Sequence, residues 1–380
     1  MKRRLAAAVP LVLVLAFAVL AERPPGPVVH EWGTFTTLAG FGGRPVAFRP
    51  FDGPDDLPEF VSRDYVFPKR GLSARVRMET PVVYFYSEDE IDVSVAVSFP
   101  GGHITEWFPE ARRGAGTIEW PAVRVRPGAA ALFPFEDARE SHYYRARETD
   151  SAPIEVSTES GPEREKFLFY RGAGDFDVPA TARLDSGVVF VANRSAHPVE
   201  SVIVFERRGG VASFTDPASL GAGEERAFER PAAPRDLEDL LSTLRRTLVD
   251  AGLFEREARC MVETWRDDWF GEGLRVFSVV PRAITDAILP ISISPEPESL
   301  ERVLVARAEI PTPEAVLAVA RLRERMRSGD DADRAAAYRE AFEAGGRFLS
   351  PVLEGLDRAD SRARARSRLD SYLFAAEGSR

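Results

Sequence analysis

One ten-residue segment, 141–150, carries an unusual number of titratable and aromatic side chains. If it is extended, alternate residues share a face at roughly 3.4 Å per residue, so His142 and Tyr144 lie about 7 Å apart and can touch one ligand. Imidazole and carboxylate groups perform acid–base chemistry, and a nearby guanidinium holds an anionic intermediate. We therefore predict Tyr144 as a ligand-binding residue. The predicted catalytic residues are His142, Arg147, Glu148 and Asp150.

The same segment also has a purely structural interpretation. Arg145 and Arg147 would pair with carboxylates, and Tyr143 would pack in the core. The residue types leave this alternative open, because arginine–carboxylate pairs and largely buried tyrosines are both common in folded proteins.

A metal ion at His142 would need ligands from other strands, because His142 and Glu148 are too far apart along an extended chain to share one ion. His30 and Glu79 are the predicted partners, and His103 is a further candidate. Imidazole together with carboxylate suits zinc, manganese or iron. The expected cofactor is therefore a divalent metal such as zinc, held by His30, Glu79 and His142.

The motif His30-Glu31-Trp32-Gly33-Thr34-Phe35-Thr36 begins like a helical zinc-protease motif but lacks its second histidine. That histidine must follow the first by four residues along a helix, and position 34 is Thr. The β-branched and aromatic residues favour a strand, in which His30 and Glu31 point to opposite faces. We therefore expect the two side chains not to share one site. The alternative is an ordinary first strand.

Acidic residues beside aromatic ones form a third candidate site. Glu79 lies in a Met-Glu-Thr-Pro sequence, and Glu106 and Glu119 each precede a tryptophan. Paired carboxylates flanked by aromatic platforms are typical of glycosidases and sugar-binding faces. This pattern predicts Trp107 as a ligand-binding residue. The alternative is that Trp107 and Trp120 are buried in the core of a sheet.

Several function classes are disfavoured. The net charge of −10 argues against a nucleic-acid partner, because a phosphate backbone is bound through a surplus of positive charge. No Gly-x-Ser-x-Gly elbow occurs, which disfavours an α/β-hydrolase, and the glycines near 172 do not lead into a helix, which disfavours a dinucleotide loop. Cys260 is the only cysteine, so no intramolecular disulfide forms.

The first residues predict the compartment. Lys2, Arg3 and Arg4 precede an apolar run to Ala21, which is the order of a secretory signal peptide over residues 1–21. The run is slightly shorter than the roughly 20 residues that span a bilayer, which favours cleavage. We expect a periplasmic or extracellular protein that touches the membrane only through this segment. An uncleaved membrane anchor is the alternative.

From residue 28 to 230 apolar residues alternate with period two, as half-buried strands require. Evenly spaced short strands predict an antiparallel β-sandwich over 28–230 within an α+β protein. The segment 41–71, rich in Gly, Pro and Asp, predicts a long loop that is either functional or a lid over one end of the sandwich. The predicted strands are 28–37, 82–86, 91–99, 104–108, 122–126, 166–170, 187–193 and 201–207.

After residue 230 the apolar period changes to 3.6, as in amphipathic helices. Asp236, Thr312 and Pro313 are typical of helix starts. The residues 231–311 are expected to form an α+β segment that packs on the sandwich. The predicted elements after residue 230 are helices near 237–248 and 255–270, strands 275–280 and 291–294, and a helical tail over 312–380.

Four short sequences resemble those of a group of uncharacterised exported bacterial proteins. They are HEWGTFT from His30, METPV from Met78, HYY from His142 and MVETWR from Met261. The resemblance covers roughly residues 28–310. It implies export and a shared architecture, but no activity.

Two functions are compatible with these patterns. The primary prediction is an exported cell-envelope binding or interaction protein, whose partner is an envelope protein or a polysaccharide. The alternative is a periplasmic metal-dependent or carboxylate-dependent hydrolase. A hydrolase requires at least three of the predicted polar residues to converge in one cleft, whereas a binding protein leaves them scattered and exposes an apolar or aromatic patch.

Overall fold

A computed structural model describes residues 26–40, 42–50, 56–64, 73–114, 116–137, 141–345 and 348–361. The predicted signal peptide therefore lies outside the described residues. The strands are β1 (Val28–Ala39), β2 (Pro45–Val46), β3 (Ser62–Arg63), β4 (Val76–Tyr86), β5 (Ile91–Ser98), β6 (Gly102–Phe108), β7 (Arg112–Gly114), β8 (Thr117–Val125), β9 (Ile154–Thr158), β10 (Gly161–Glu165), β11 (Leu168–Gly174), β12 (Ala180–Asp185), β13 (Val188–Asn193), β14 (Val199–Arg208), β15 (Val211–Phe214), β16 (Ala218–Leu220), β17 (Glu225–Glu229), β18 (Gly273–Val279), β19 (Ile291–Ser294) and β20 (Ser299–Ile310). The named helices are α1 (Leu237–Asp250), α2 (Glu255–Trp269), α3 (Arg282–Ile288), α4 (Pro313–Ser328) and α5 (Asp331–Gly345), and a 3₁₀ helix spans His142–Arg147. A further helical segment covers 349–361.

Strand β1 lies near the centre of the largest sheet, which has eleven strands. Its main order is β15-β14-β18-β20-β1-β4-β11-β6-β3. β1 runs antiparallel to β4 and parallel to β20, so that Thr34 has Glu79 on one side and Val305 on the other. β18 and β20, which come from the segment 231–311, therefore lie inside a sheet whose other strands come from residues 28–230.

Both faces of the large sheet are covered, and this explains why β1 is buried along almost its whole length. One face shares a core cluster, which includes Phe35 and Trp120, with the six-stranded sheet built around β8 and β5. The three-stranded sheet β12-β13-β17 shares a second cluster with β14, β18 and β20. Trp32 and Val303 point to the opposite face, where they share a cluster with α1 and α2.

Helices α1 and α4 begin where the sequence supplies a side-chain cap. The Asp236 side chain accepts a hydrogen bond from the N–H of Glu238 at 3.0 Å, and a stripe of buried leucines follows along α1. Thr312 caps α4 in the same way, with Pro313 in the first turn. None of the helices in the described ranges combines the length and the hydropathy needed to cross a bilayer.

The expected α+β class is confirmed, with large sheets and with helices mainly after residue 230. Each predicted strand overlaps an observed one. The large sheet is not purely antiparallel, because β1 and β20 run parallel, and a period of two identifies a strand but not its direction. The segment from His142 is a 3₁₀ helix rather than extended chain, since the Ser141 side chain accepts the N–H of Tyr143 and closes a turn.

Gly172 marks a close approach inside the large sheet. A Cβ added there would lie 2.5 Å from the His103 carbonyl oxygen and 2.9 Å from the side chains of Met78 and Phe99. Overpacking of this kind costs typically 1–3 kcal/mol, so Gly172→Ala is expected to lower the free energy of unfolding, measured in urea, by about 2 kcal/mol. Gly221→Ala is the control, because its Cβ would meet no atom closer than 3.5 Å. Equal stability of the two variants would contradict this packing.

Candidate functional site

The HEWGTFT and METPV sequences lie side by side on β1 and β4 and meet at a β-bulge. The pairing shifts between Trp32 and Thr34, opposite Thr80 and Pro81. Thr80 has φ +50°, which is uncommon for a β-branched residue. Gly33 permits the close approach, since an added Cβ would lie 3.0 Å from the Pro81 backbone. Bulges and strained residues occur often beside functional sites, so this junction is the first candidate.

Five charged side chains form a row beside the bulge, on the face of the large sheet that α2 covers. Each residue is at most 7% exposed. Arg77 Nη2 donates to Glu106 Oε1 at 2.9 Å, and Thr36 Oγ1 donates to Glu79 Oε2 at 2.7 Å. Two further arginines interact electrostatically with Glu79. We call the five residues the charged floor: Arg77, Glu79, Glu106, Arg171 and Arg307.

Arg171 takes its carboxylate partner from outside the sheet. Its Nη1 and Nη2 donate to Asp56 Oδ1 and Oδ2, each at 2.8 Å, in a bidentate pair. Its Nε and Nη2 also reach Thr80 Oγ1, at 3.3 and 3.2 Å. Burial acts to raise the pKa of Asp56, but the charge and hydrogen bonds of Arg171 outweigh it and hold that pKa well below its usual value. Asp56 is therefore ionised at neutral pH and compensates the buried guanidinium.

The other end of the charged floor fastens α2 to the sheet. Arg307 Nη1 donates to Asp268 on α2, and its Nε donates to Glu309 Oε1 at 2.5 Å. Arg275 Nε donates to Glu309 Oε2 at 3.1 Å. Burial acts to raise the pKa of Glu309, yet the two arginines lower it overall. These four residues compensate one another and position the end of α2.

Thr34 is an exception among the polar residues of this junction. Its Oγ1 is buried and has no hydrogen-bond partner within the described ranges. Side chains alternate along a strand, so Thr34 shares a face with Trp32 and Thr36, and it lies opposite Glu79. Buried hydroxyl groups are nearly always paired, whereas Thr34 Oγ1 and the neighbouring Trp32 Nε1 have no partner among the described residues.

A second buried polar centre joins β1 to the start of α2. His30 Nδ1 lies 2.6 Å from Glu257 Oε2, and both side chains are at most 3% exposed. The Tyr86 hydroxyl and the Phe254 N–H donate to the same carboxylate, each at 2.8 Å. The Phe254 ring packs against the imidazole at a tilt of 33°, with ring centroids 4.3 Å apart. Glu257 therefore orients His30 and at the same time closes the first turn of α2.

Glu31 points to the opposite face, as predicted. Arg302 Nε donates to Glu31 Oε2 at 2.5 Å, and the Tyr170 hydroxyl donates to the other carboxylate oxygen. The side chains of Glu31 and Arg302 are fully buried. The prediction that His30 and Glu31 do not share a site is confirmed.

Arg147, predicted to hold an anionic intermediate, instead holds a buried carboxylate. Its Nε donates to Glu165 Oε1 at 2.9 Å and its Nη2 to Oε2 at 2.6 Å. The hydroxyl of buried Tyr143 donates to the same carboxylate at 3.1 Å. Burial raises the pKa of Glu165 in spite of Arg147. Arg147 and Tyr143 therefore have the structural roles that the alternative interpretation assigned to them, as an ion-pair partner and a core residue. Tyr144 remains partly exposed.

The other residues predicted to be catalytic have separate surroundings. Asp150 pairs with Arg256 from α2, and Glu148 lies 3.8 Å from Arg145. His142 is half-buried at the first position of the 3₁₀ helix. The extended arrangement in which these side chains shared a face is not formed, because His142 lies on the 3₁₀ helix while Glu148 and Asp150 follow its end.

The predicted metal ligands do not come together. His30 is bonded to Glu257 and Glu79 to Thr36, while His142 lies on the 3₁₀ helix. Across the part of the chain that the structure describes, no three His, Cys, Asp or Glu side chains are placed to hold a metal ion. The strand pattern left the lateral order of the strands open, and the tertiary fold gives these side chains other partners.

The two tryptophans beside glutamates are core residues. Trp107 is 4% and Trp120 0% exposed, both in the cluster between the large and the six-stranded sheets. The side chain of Arg113 lies 4.2 Å from the centroid of the Trp107 ring. Glu106 and Glu119 belong to different sheets and do not form the pair that a glycosidase needs.

Sequence reasoning missed Asp56, Arg171 and Glu257. An arginine inside an apolar strand and a glutamate within the buried side of a helix are detectable signals, because such charges are rarely buried without a partner. The partners themselves are not readable, since 115 residues separate Asp56 from Arg171 and 227 separate His30 from Glu257.

Comparison with known proteins gives little further information. No protein-family model matches this chain, and no curated protein matches it. A solved structure with some similarity is the yeast delta-COP-I mu-homology domain complexed with a Dsl1 WxWxV peptide. It has a TM-score of 0.30 and 8% identity, over 75% of this chain and 96% of that chain. Such a low score supports no conclusion about fold or function.

Glu257→Leu is expected to lower the free energy of unfolding by about 3 kcal/mol. The substitution leaves buried His30 and the partly buried donors of Tyr86 and Phe254 without their acceptor, and an unsatisfied buried group costs about 1–3 kcal/mol. Glu257→Gln keeps an acceptor of the same shape and should lose less than half as much. Urea denaturation of both variants measures the effect. Equal losses of stability in the two variants would show that Glu257 contributes through packing and not as a hydrogen-bond acceptor.

The Asp56–Arg171 pair should make stability depend on acid pH. The folded pKa of Asp56 lies below its ordinary value of 3.8, so the contribution of the pair is present above that value and is lost as the pH falls through the folded pKa. Asp56→Asn removes this contribution. The stability gap between wild type and Asp56→Asn is therefore expected to shrink between about pH 7 and about pH 2. A gap that stays constant in urea denaturation at both pH values would contradict the ion pair.

Proposed function

We propose that this protein is exported and acts as a binding or interaction protein of the cell envelope. The observation that carries the proposal is an exposed apolar surface on residues 127–137, here named the aromatic strap. Leu132 is 92% exposed and Phe135 is 64% exposed. Exposed large apolar side chains are one feature of protein interaction surfaces.

The aromatic strap has no regular secondary structure, yet its backbone is anchored. Glu136 Oε1 accepts hydrogen bonds from the N–H groups of Glu59 and Phe60, at 2.7 and 3.3 Å. The N–H of Glu136 contacts the Tyr144 hydroxyl at 3.1 Å, and Arg147 Nη2 donates to the Pro134 carbonyl at 2.8 Å. An anchored surface loses less conformational entropy on binding, which supports a role in recognition.

Aromatic and cationic groups lie behind the exposed side chains. Phe135 contacts Tyr144 with ring centroids 4.8 Å apart. The Arg147 guanidinium lies 4.9 Å from the Tyr144 ring and 5.4 Å from the Phe133 ring. Tyrosine and arginine are enriched among residues that dominate binding energies. Tyr144, predicted from the sequence as a ligand-binding residue, is therefore part of the proposed surface.

An envelope protein is the partner that this surface fits best. Leu132 and Phe135 offer exposed apolar area of the kind that a protein partner covers, and a polysaccharide, which also uses aromatic rings, is the alternative partner. The negative net charge disfavours a nucleic acid. The basic residues and the apolar run at the start of the chain support export and membrane contact only through that segment.

The hydrolase alternative has less support. Its predicted carboxylates Glu148 and Asp150 pair with different arginines, and the described ranges hold no group of three metal-ligating side chains. Catalysis by these residues would require them to converge around one substrate.

The strap is tested with Leu132→Ser combined with Phe135→Ser. The purified chain from Glu22 onward is sedimented with isolated cell envelopes, and the double variant is expected to bind at least about tenfold more weakly, because it loses the central apolar contacts. Val211→Ser is the matched control, since Val211 is 48% exposed on a different hairpin.

Two further arms separate the parts of the proposal. Protease treatment of the envelopes should abolish binding, whereas binding that persists until polysaccharide is digested would replace the protein partner with a polysaccharide. Unchanged binding by the double variant would contradict the strap as the contact surface. Recovery of the full-length chain in the cytoplasmic fraction would contradict export.

A further inference from the structure

We propose that Arg171 is a binding site for the carboxylate group of a small ligand, and that Asp56 occupies this site in the present structure. The proposal concerns the charged floor and is independent of the aromatic strap. It rests on the geometry of the pair, on the origin of Asp56 in the chain and on the polar groups around them.

The geometry is that of carboxylate recognition. Two nitrogens of Arg171 meet the two oxygens of Asp56, each at 2.8 Å. This fork matches a planar carboxylate and is the reason that arginine is used where such groups are bound. A carboxylate from a ligand would present the same two oxygens to the same two donors.

Asp56 is the exchangeable member of the pair. It lies in the segment 56–64, ahead of the short strand β3, whereas Arg171 lies within β11, and their side chains are 34% and 7% exposed. The pair is therefore open to solvent on the side of Asp56. The other floor arginines have carboxylates fixed in the sheet, with Glu106 on β6 for Arg77 and Glu309 on β20 for Arg307.

The surroundings of Arg171 hold polar groups that the fold does not fully use. Thr80, held in a left-handed conformation, places its Oγ1 3.2 Å from Arg171 Nη2. Thr34 lies on β1, two strands away from Arg171 and opposite Glu79, and its buried Oγ1 has no partner in the described part of the chain. Strained residues and orphan hydroxyls persist where the surrounding structure enforces them, and both features are common at ligand sites.

Removal of Asp56 would leave the positive charge of Arg171 without its close carboxylate partner. Arg171 would remain buried, and among the described residues it would keep its hydrogen bonds to Thr80 and the longer-range attraction of Glu106 and Glu79. A buried charge without a close partner is costly, so a free carboxylate entering from solvent would be bound in place of Asp56. In the wild type the ligand must compete with Asp56, which is tethered and so present at an effective concentration of roughly millimolar or more.

The test uses acetate as the probe and the chain from Glu22 onward. The Nε–Hε NMR signal of Arg171 is followed during acetate titration at constant ionic strength, with chloride as the balancing anion. We expect a saturable shift in wild type and in Asp56→Ala, with half-saturation at least tenfold lower in the variant. Arg171→Lys combined with Asp56→Ala should show no saturable, acetate-dependent gain in melting temperature, whereas Asp56→Ala alone should show one.

Asp64→Ala is the matched control, because Asp64 lies in the same segment but pairs with Arg113. It should leave the wild-type response at Arg171 unchanged. Asp56→Asn serves if Asp56→Ala does not fold, since it keeps the shape of the side chain while weakening the competition.

Two outcomes would overturn the proposal. The first is a response to acetate in Asp56→Ala or Asp56→Asn but none in wild type, which would mean that acetate only fills an artificial hole and that the native pair is structural. The second is no response in any folded variant, which would show that Arg171 does not accept a free carboxylate.

Discussion

The central strand β1 buries polar side chains on both of its faces, and each needs a partner from a distant part of the chain. His30 is paired with Glu257 on the helix face, and Glu31 with Arg302 on the other face. A shift of one residue in register would place every one of these groups on the wrong side. The polar pairs of β1 therefore fix the register of the sheet and the position of α2 together.

Buried ion pairs of this kind do not by themselves make a protein more stable, because desolvation offsets much of the attraction. Removal of one partner is nevertheless costly, since it leaves a charge in the interior. We expect the same cost of removing one partner in the pairs of Arg307 with Glu309 and Asp268 and in the pair of Arg147 with Glu165. Such pairs restrict the alternative packings that an apolar core alone would tolerate. They also explain why residues that resemble catalytic groups in the sequence are engaged with one another in the fold.

The interior and the surface of the protein are linked by Arg147. One nitrogen of its guanidinium binds buried Glu165 and also donates to the Pro134 carbonyl of the aromatic strap. The strap is thus attached to a rigid, buried pair rather than to a flexible loop. Asp56 has a comparable double role, because its carbonyl accepts from Ser141 at the start of the 3₁₀ helix while its carboxylate reaches the charged floor.

The sequence by itself determined the α+β class, the positions of eight strands between residues 28 and 230, the helix starts at Asp236 and Thr312, and the opposite orientation of His30 and Glu31. These properties follow from local periodicity and capping, which neighbouring residues decide. Only the tertiary structure decided that β20 lies beside β1, that Glu257 meets His30 and that Asp56 meets Arg171. Such contacts depend on which strands and helices become neighbours. The apolar pattern of a strand identifies its buried face but does not depend on which strand lies beside it.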